Sequence, residues 1–86
     1  MPERTVVVAS SVGLHARPAA LFSQAAAKAP APVTLTAASG RTVNAASILG
    51  VLSLGIDHGE RVTIASDDPA TLDELVAMLE RDLDQE

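Results

Sequence analysis

No cysteine occurs anywhere in this chain, and its two histidines, His15 and His58, lie far apart in sequence. Neither a disulfide nor a zinc framework can hold such a chain together. Small domains commonly lean on one or the other, so buried apolar surface must suffice here. The 86 residues leave room for a single core, and 1–86 reads as one domain. A hydrophobic fraction of 48% supplies the material for that core.

The apolar residues follow two rhythms. Arg4 to Ala9, with Val6, Val7 and Val8 in a β-branched run, reads as a strand. Ser10 to Leu14 reads as a turn. The spacing of Leu21, Phe22, Ala25, Ala26 and Ala29 predicts a helix from Ala16 to about Lys28 with one apolar stripe. Ala29-Pro30-Ala31-Pro32 ends it, because proline cannot continue a helix and biases its predecessor to extended form. Val33 and Leu35 alternate with Thr34 and Thr36, Ala38-Ser39-Gly40 makes a hairpin turn, and Arg41 to Asn44 returns. Ser47 caps a short helix that stops at Gly55. Asp57 to Glu60 is a turn, and Arg61 to Ser66 alternates again. Asp68 as cap and Pro69 at the first position open a last helix, with Leu72, Leu75, Val76, Leu79 and Leu83 on one stripe. Asp82, Asp84 and Glu86 have the wrong sign for a helix C-terminus, so its end should fray.

The predicted order is βαββαβα with short connections. It fits an α+β, two-layer open-faced sandwich: a four-stranded, mostly antiparallel sheet with its helices on one face.

Charge narrows the partners. The formal net charge is −5, the six basic residues are scattered, and Phe22 is the sole aromatic. Nucleic-acid binding calls for clustered cations and stacking platforms, so no nucleic-acid partner is expected. Met1-Pro2-Glu3-Arg4 lacks the basic start and apolar run of a signal peptide. No segment approaches the roughly 20 apolar residues of a membrane span. The expectation is a cytoplasmic protein without membrane insertion.

The candidate chemistry sits in Gly13-Leu14-His15-Ala16-Arg17-Pro18-Ala19-Ala20. A strand, a polar turn and a helix start meet at His15. The amides of a first helical turn lack intrahelical acceptors and attract anions. Pro18 pre-sets φ and lacks an N–H, which leaves the Ala16 and Arg17 amides available. Arg17 adds a fixed positive charge. A lone histidine at a helix start is ordinarily a polar capping group. Joined to a turn glycine, an arginine and a proline, it suits a residue that takes and gives a phosphoryl group.

That segment resembles the active-site segment of the HPr family, the histidine-containing phosphocarriers of the bacterial sugar phosphotransferase system. Val43-Asn44-Ala45-Ala46-Ser47-Ile48-Leu49-Gly50-Val51-Leu52-Ser53-Leu54-Gly55 looks like that family's regulatory-serine segment. The element order matches the family's fold along the whole chain. The resemblance implies that His15 accepts a phosphoryl group on Nδ1 from phosphorylated enzyme I and passes it to the IIA domain of a sugar permease. Arg17 and the amides at the start of the first helix would hold that group. No cofactor and no metal is implied. The chain would be a carrier that other enzymes act on rather than a turnover enzyme, and a monomer that docks its partners in turn. Ser47 fits the position served by a serine kinase, yet Ala46 stands where serine-phosphorylated members often carry a basic residue. Helix cap and regulatory site both stay open for Ser47.

In the short helix after Ser47, five of the seven residues from Ile48 to Leu54 are apolar. A helix of two turns can bury only one side against a sheet. Val51 and Leu54 are assigned mainly to the core, and Ile48, Leu49 and Leu52 to an exposed docking patch. Asn44 and Ser53 have turn and helix roles that explain them as well as a site would, and His58 reads as an exposed turn residue. Two other readings stand beside the carrier: a regulatory, nitrogen-branch paralogue with the same histidine chemistry, and an interaction module that is never phosphorylated.

Overall fold

A computed structural model describes residues 2–9, 13–14 and 16–81, with Ala16 through its backbone only. Among them the elements are β1 (Glu3–Val7), α1 (Ala16–Ala27), β2 (Val33–Thr36), β3 (Thr42–Asn44), α2 (Ile48–Ser53), β4 (Arg61–Ser66) and α3 (Pro69–Glu80). The strands form one sheet in the order β1-β4-β2-β3, and every adjacent pair runs antiparallel. The α+β open-faced sandwich expected from the pattern is the fold observed.

Register explains why the helices share a face. In an antiparallel pair, residues directly opposite project to the same side. Val6 pairs with Val62, Leu35 with Ile64 and Val43, and these form the apolar side. The other side carries a rank of threonines, Thr5 opposite Thr63, Thr63 opposite Thr36 and Thr36 opposite Thr42. Their hydroxyls meet at 3.2 Å between Thr5 and Thr63 and at 2.8 Å between Thr36 and Thr42. That side faces solvent, and the helices cover the apolar one.

One core results. Phe22, Leu35, Ile56, Ile64, Leu72, Leu75, Leu79, Val51 and Val62 are all essentially inaccessible to solvent. On α1 the buried positions are Pro18 at the helix start and then Ala19, Phe22, Ser23 and Ala26, the last four spaced i, i+3, i+4 and i+7. Leu21 and Ala25, placed on the buried stripe by sequence, instead flank it and line a groove between α1 and α3. Buried Ser23 is satisfied by donating to the Ala20 carbonyl at 3.2 Å.

Two departures from the sequence reading have a visible physical cause. β1 stops at Val7 rather than Ala9, because the Ala9 amide leaves the sheet to bond the Leu79 carbonyl of α3 at 2.9 Å. Asp68 occupies the cap position of α3, but its carboxylate bonds no backbone amide there. It accepts instead from the hydroxyl of buried Thr71 at 2.5 Å. A buried hydroxyl left without a partner is costly, so that demand takes precedence over the cap. α3 runs to Glu80; Leu83 and the acidic end from Asp82 lie outside the described residues.

Phe22 is the largest fully buried side chain, and no cross-link compensates for losing it. Phe22→Ala is expected to cost about 3–5 kcal/mol, enough to leave a domain of this size barely folded. The chain has neither Trp nor Tyr, so urea unfolding followed by far-ultraviolet circular dichroism is the suitable measurement.

Candidate functional site

The site is built where α1 begins. His15 lies outside the described residues; the next residue, Ala16, opens the helix. Arg17, its second residue, is exposed, while Pro18 and Ala19 are buried. This division follows from the chain. Pro18 needs no acceptor for an N–H and can turn inward at the helix start, which leaves Arg17 on the solvent side beside the first-turn amides.

The segment before His15 is held from below. Leu14 is fully buried, and its amide donates to the Ile56 carbonyl at 2.9 Å. Gly13 has φ of 71°, in the left-handed region. A Cβ there would stand 2.2 Å from the Ile56 oxygen and 2.8 Å from Asp57 Cα. Only glycine lets the backbone lie this close to the turn after α2. Sequence reading recognised Gly13 as a turn residue but missed Ile56, since nothing in a one-dimensional pattern links residues so far apart.

Ile56 follows shortly after α2, so the start of α1 lies beside the C-terminal end of α2, and the two helices pack together. Ser47 caps α2 as expected: its hydroxyl accepts from the Gly50 amide at 3.1 Å. Gly50 brings α2 down onto β3, where an added Cβ would sit 3.3 Å from both Val43 Cβ and the Ser47 hydroxyl. At the other end Arg41 Nη1 donates to the Ser53 carbonyl at 3.3 Å.

The exposure of α2 sharpens the assignment of its apolar residues. Leu49 is 77% exposed and Ile48 40%, whereas Val51 is fully buried. Leu54 is partly buried against the core, in keeping with its assignment. Leu52 is the correction: it too is partly buried and packs on the core. With α2 set close over β3 and against α1, the solvent-facing arc of so short a helix holds only Ile48 and Leu49 as well-exposed apolar residues.

The remaining polar candidates have local roles. Asn44 Oδ1 accepts from the Ala46 amide at 2.9 Å, closing the turn before α2. Ser53 donates to the Gly50 carbonyl at 2.6 Å. His58 is exposed in the turn before β4. Among the described residues no group of three or more His, Cys, Asp or Glu is placed to hold a metal ion, and no helix is long and apolar enough to cross a membrane.

Comparison with known proteins points one way. Residues 2–81 match the family model described as the PTS HPr component phosphorylation site. The phosphocarrier protein HPr of Streptomyces coelicolor is 52% identical over 67 residues, which span 78% of this chain and 72% of that one. The crystal structure of HPr from Thermoanaerobacter tengcongensis superimposes with a TM-score of 0.91 at 36% identity, covering 100% of this chain and 99% of the other. HPr from Bacillus anthracis gives 0.84 at 41% identity, covering 91% and 95%.

Gly13→Ala tests the close approach under Leu14. Positive φ contributes about 1–3 kcal/mol of strain, and the clash with the Ile56 carbonyl adds to it. The variant should unfold at lower urea, and its Leu14 amide should exchange with solvent markedly faster than in the parent. An unchanged Leu14 amide would show that the contact does not hold this segment.

Proposed function

Given that the chain belongs to the HPr family of phosphotransferase-system phosphocarriers, we propose that His15 takes a phosphoryl group from phosphorylated enzyme I and delivers it to IIA domains of sugar permeases. The lone pair on His15 Nδ1 forms the new bond to phosphorus as the bond joining phosphorus to enzyme I breaks. The same exchange then runs from His15 to the acceptor. The chain acts as one phosphocarrier domain over 1–86, a cytoplasmic monomer on which other enzymes act.

The observation that carries this reading is the exposed Arg17 at the second position of α1, two residues after His15 in sequence. A phosphoryl group brings close to two negative charges at neutral pH. The positive end of a helix of 12 residues, first-turn amides of Ala16 and Arg17, and a planar guanidinium all favour such an anion. The close approach of Gly13 and the bond from Leu14 to Ile56 support a pre-set path for the chain into His15.

Partners dock on Ile48 and Leu49, the exposed apolar pair of α2, with Leu52 at the margin of the contact. α2 packs beside α1, so one partner surface covers both the patch and the start of α1. A phosphoryl group on Ser47 would place negative charge on the helix that bears this patch and weaken docking there. The helix end tolerates the charge, so the effect falls on binding rather than folding.

Incubation with enzyme I and phosphoenolpyruvate should add one phosphoryl group, read by intact mass. The product should be labile in acid and stable in base, as a phosphoramidate is. His15→Ala should abolish it, His58→Ala should leave it intact, and Arg17→Ala should slow its formation. An acid-stable product, or undiminished labelling of His15→Ala, would overturn the reading.

The docking assignment has its own contrast. Leu49→Glu should leave thermal stability nearly unchanged while slowing enzyme I-dependent phosphorylation. Val51→Glu buries a charge and should cost about 3 kcal/mol or more in a urea titration. Normal transfer kinetics in a folded Leu49→Glu would move the docking surface elsewhere.

A further inference from the structure

Every hydrogen-bonding atom of Glu60 is engaged. Its amide donates to the Asp57 carbonyl at 3.1 Å, and its carbonyl accepts from the Val8 amide at 3.0 Å. Its carboxylate spans two separate turns: Oε1 accepts from the Asp57 amide at 3.3 Å and Oε2 from the Ala38 amide at 3.2 Å. Ala38 lies in the β2–β3 hairpin, and Asp57 in the turn between α2 and β4.

The Asp57 amide matters because of what stands at the other end of its peptide group. That group is planar, and its carbonyl is Ile56 C=O. The same carbonyl accepts the Leu14 amide at 2.9 Å, and Gly13 lies directly against it. One rigid plane is therefore gripped on both edges, by Glu60 at its N–H and by Leu14 at its C=O. Rotating the plane would break both bonds at once. Hydrogen bonds linked through a peptide also polarise one another, so the carboxylate strengthens the acceptor that Leu14 uses. His15 is the next residue in the chain.

We propose that Glu60 is a positioning residue for phosphoryl transfer: its carboxylate locks the Ile56–Asp57 peptide plane and so fixes the Gly13–Leu14 segment that delivers His15. The proposal rests on the reading of His15 as the phosphoryl acceptor. The bonds of Glu60 go to Ala38, Asp57 and Val8 and not to Ile48 or Leu49, so its loss should act on the transfer step and leave docking alone.

The test uses the full chain as wild type, Glu60→Ala, Glu60→Gln and, as a control for net charge, Glu74→Ala from the exposed side of α3. Two quantities are measured: hydrogen exchange of the Leu14 amide, and the kcat and KM of enzyme I with each variant as substrate. In Glu60→Ala, Leu14 exchange should accelerate about tenfold, the scale of losing a hydrogen bond that closes a local structure. Its kcat should fall about threefold to tenfold at unchanged KM, because a small misplacement of reacting groups costs rate rather than binding. Glu60→Gln keeps one acceptor oxygen for the two amides, so it should fall between wild type and alanine on both measures. Glu74→Ala should match wild type.

Unchanged Leu14 exchange in a folded Glu60→Ala or Glu60→Gln would overturn the proposal. So would accelerated exchange with kcat intact, or a loss expressed in KM. A wild-type chain that enzyme I does not phosphorylate would instead overturn the His15 reading itself, whatever Leu14 does, and the two failures are thereby distinguished.

Discussion

Ile64 sits near the middle of the sheet, opposite Arg4 on one side and Leu35 on the other, and is wholly buried beneath the helices. The apolar layer around it is the constraint on which everything else depends. No disulfide shares the load. A slip of one residue in any strand would turn its threonines inward and its valines, leucine or isoleucine outward. Burial of a side chain of this kind is worth about 1.5–3 kcal/mol, so such a slip forfeits several of these at once. The register is thus fixed by the core, and the register brings the loops at the sheet's ends together.

Placing every helix on one face has a functional consequence. The threonine face offers solvent a uniform polar surface, while helix starts, helix ends and crossing turns concentrate on the other side. α1 and α2 meet there, with Arg17 at the start of one and Ile48 and Leu49 exposed on the other. A cationic position and an apolar patch on adjoining elements are what an anionic group and a partner surface can use together. The overall charge of −5 makes Arg17 the more distinct against its background.

The turn after α2 joins these parts. Ile56 is buried in the core, its carbonyl receives Leu14, and Gly59 and Glu60 exchange backbone bonds with Val8 at the end of β1. A short stretch of chain therefore links the first strand, the segment before His15 and the hairpin reached by the Glu60 carboxylate. Precision at a helix start is built here by backbone groups well away from it in sequence. The single aromatic, Phe22, anchors α1 from the opposite direction, inside the core.

Much of this was legible in the residues, and what was legible is local. Period-two runs marked β2 and β4, the leucine stripe marked α3, and Pro18, Pro30 and Pro69 marked helix ends, because φ restriction and side-chain alternation act within a few residues. Ser47 was readable as a cap for the same reason. The resemblance tied the motif from Gly13 to Ala20 to the chemistry proposed for it. Tertiary structure alone decided which apolar residues of α2 stay exposed. Leu52 follows the same composition as Leu49 yet packs on the core, since packing over β3 and against α1 sets the rotation of the helix. It also redirected the Asp68 carboxylate to Thr71, ended β1 where α3 claims the Ala9 amide, and set Gly13, Leu14, Ile56 and Glu60 on one peptide plane. Those outcomes depend on which distant groups compete for the same donor or the same buried space, and that competition exists only once the layers are assembled.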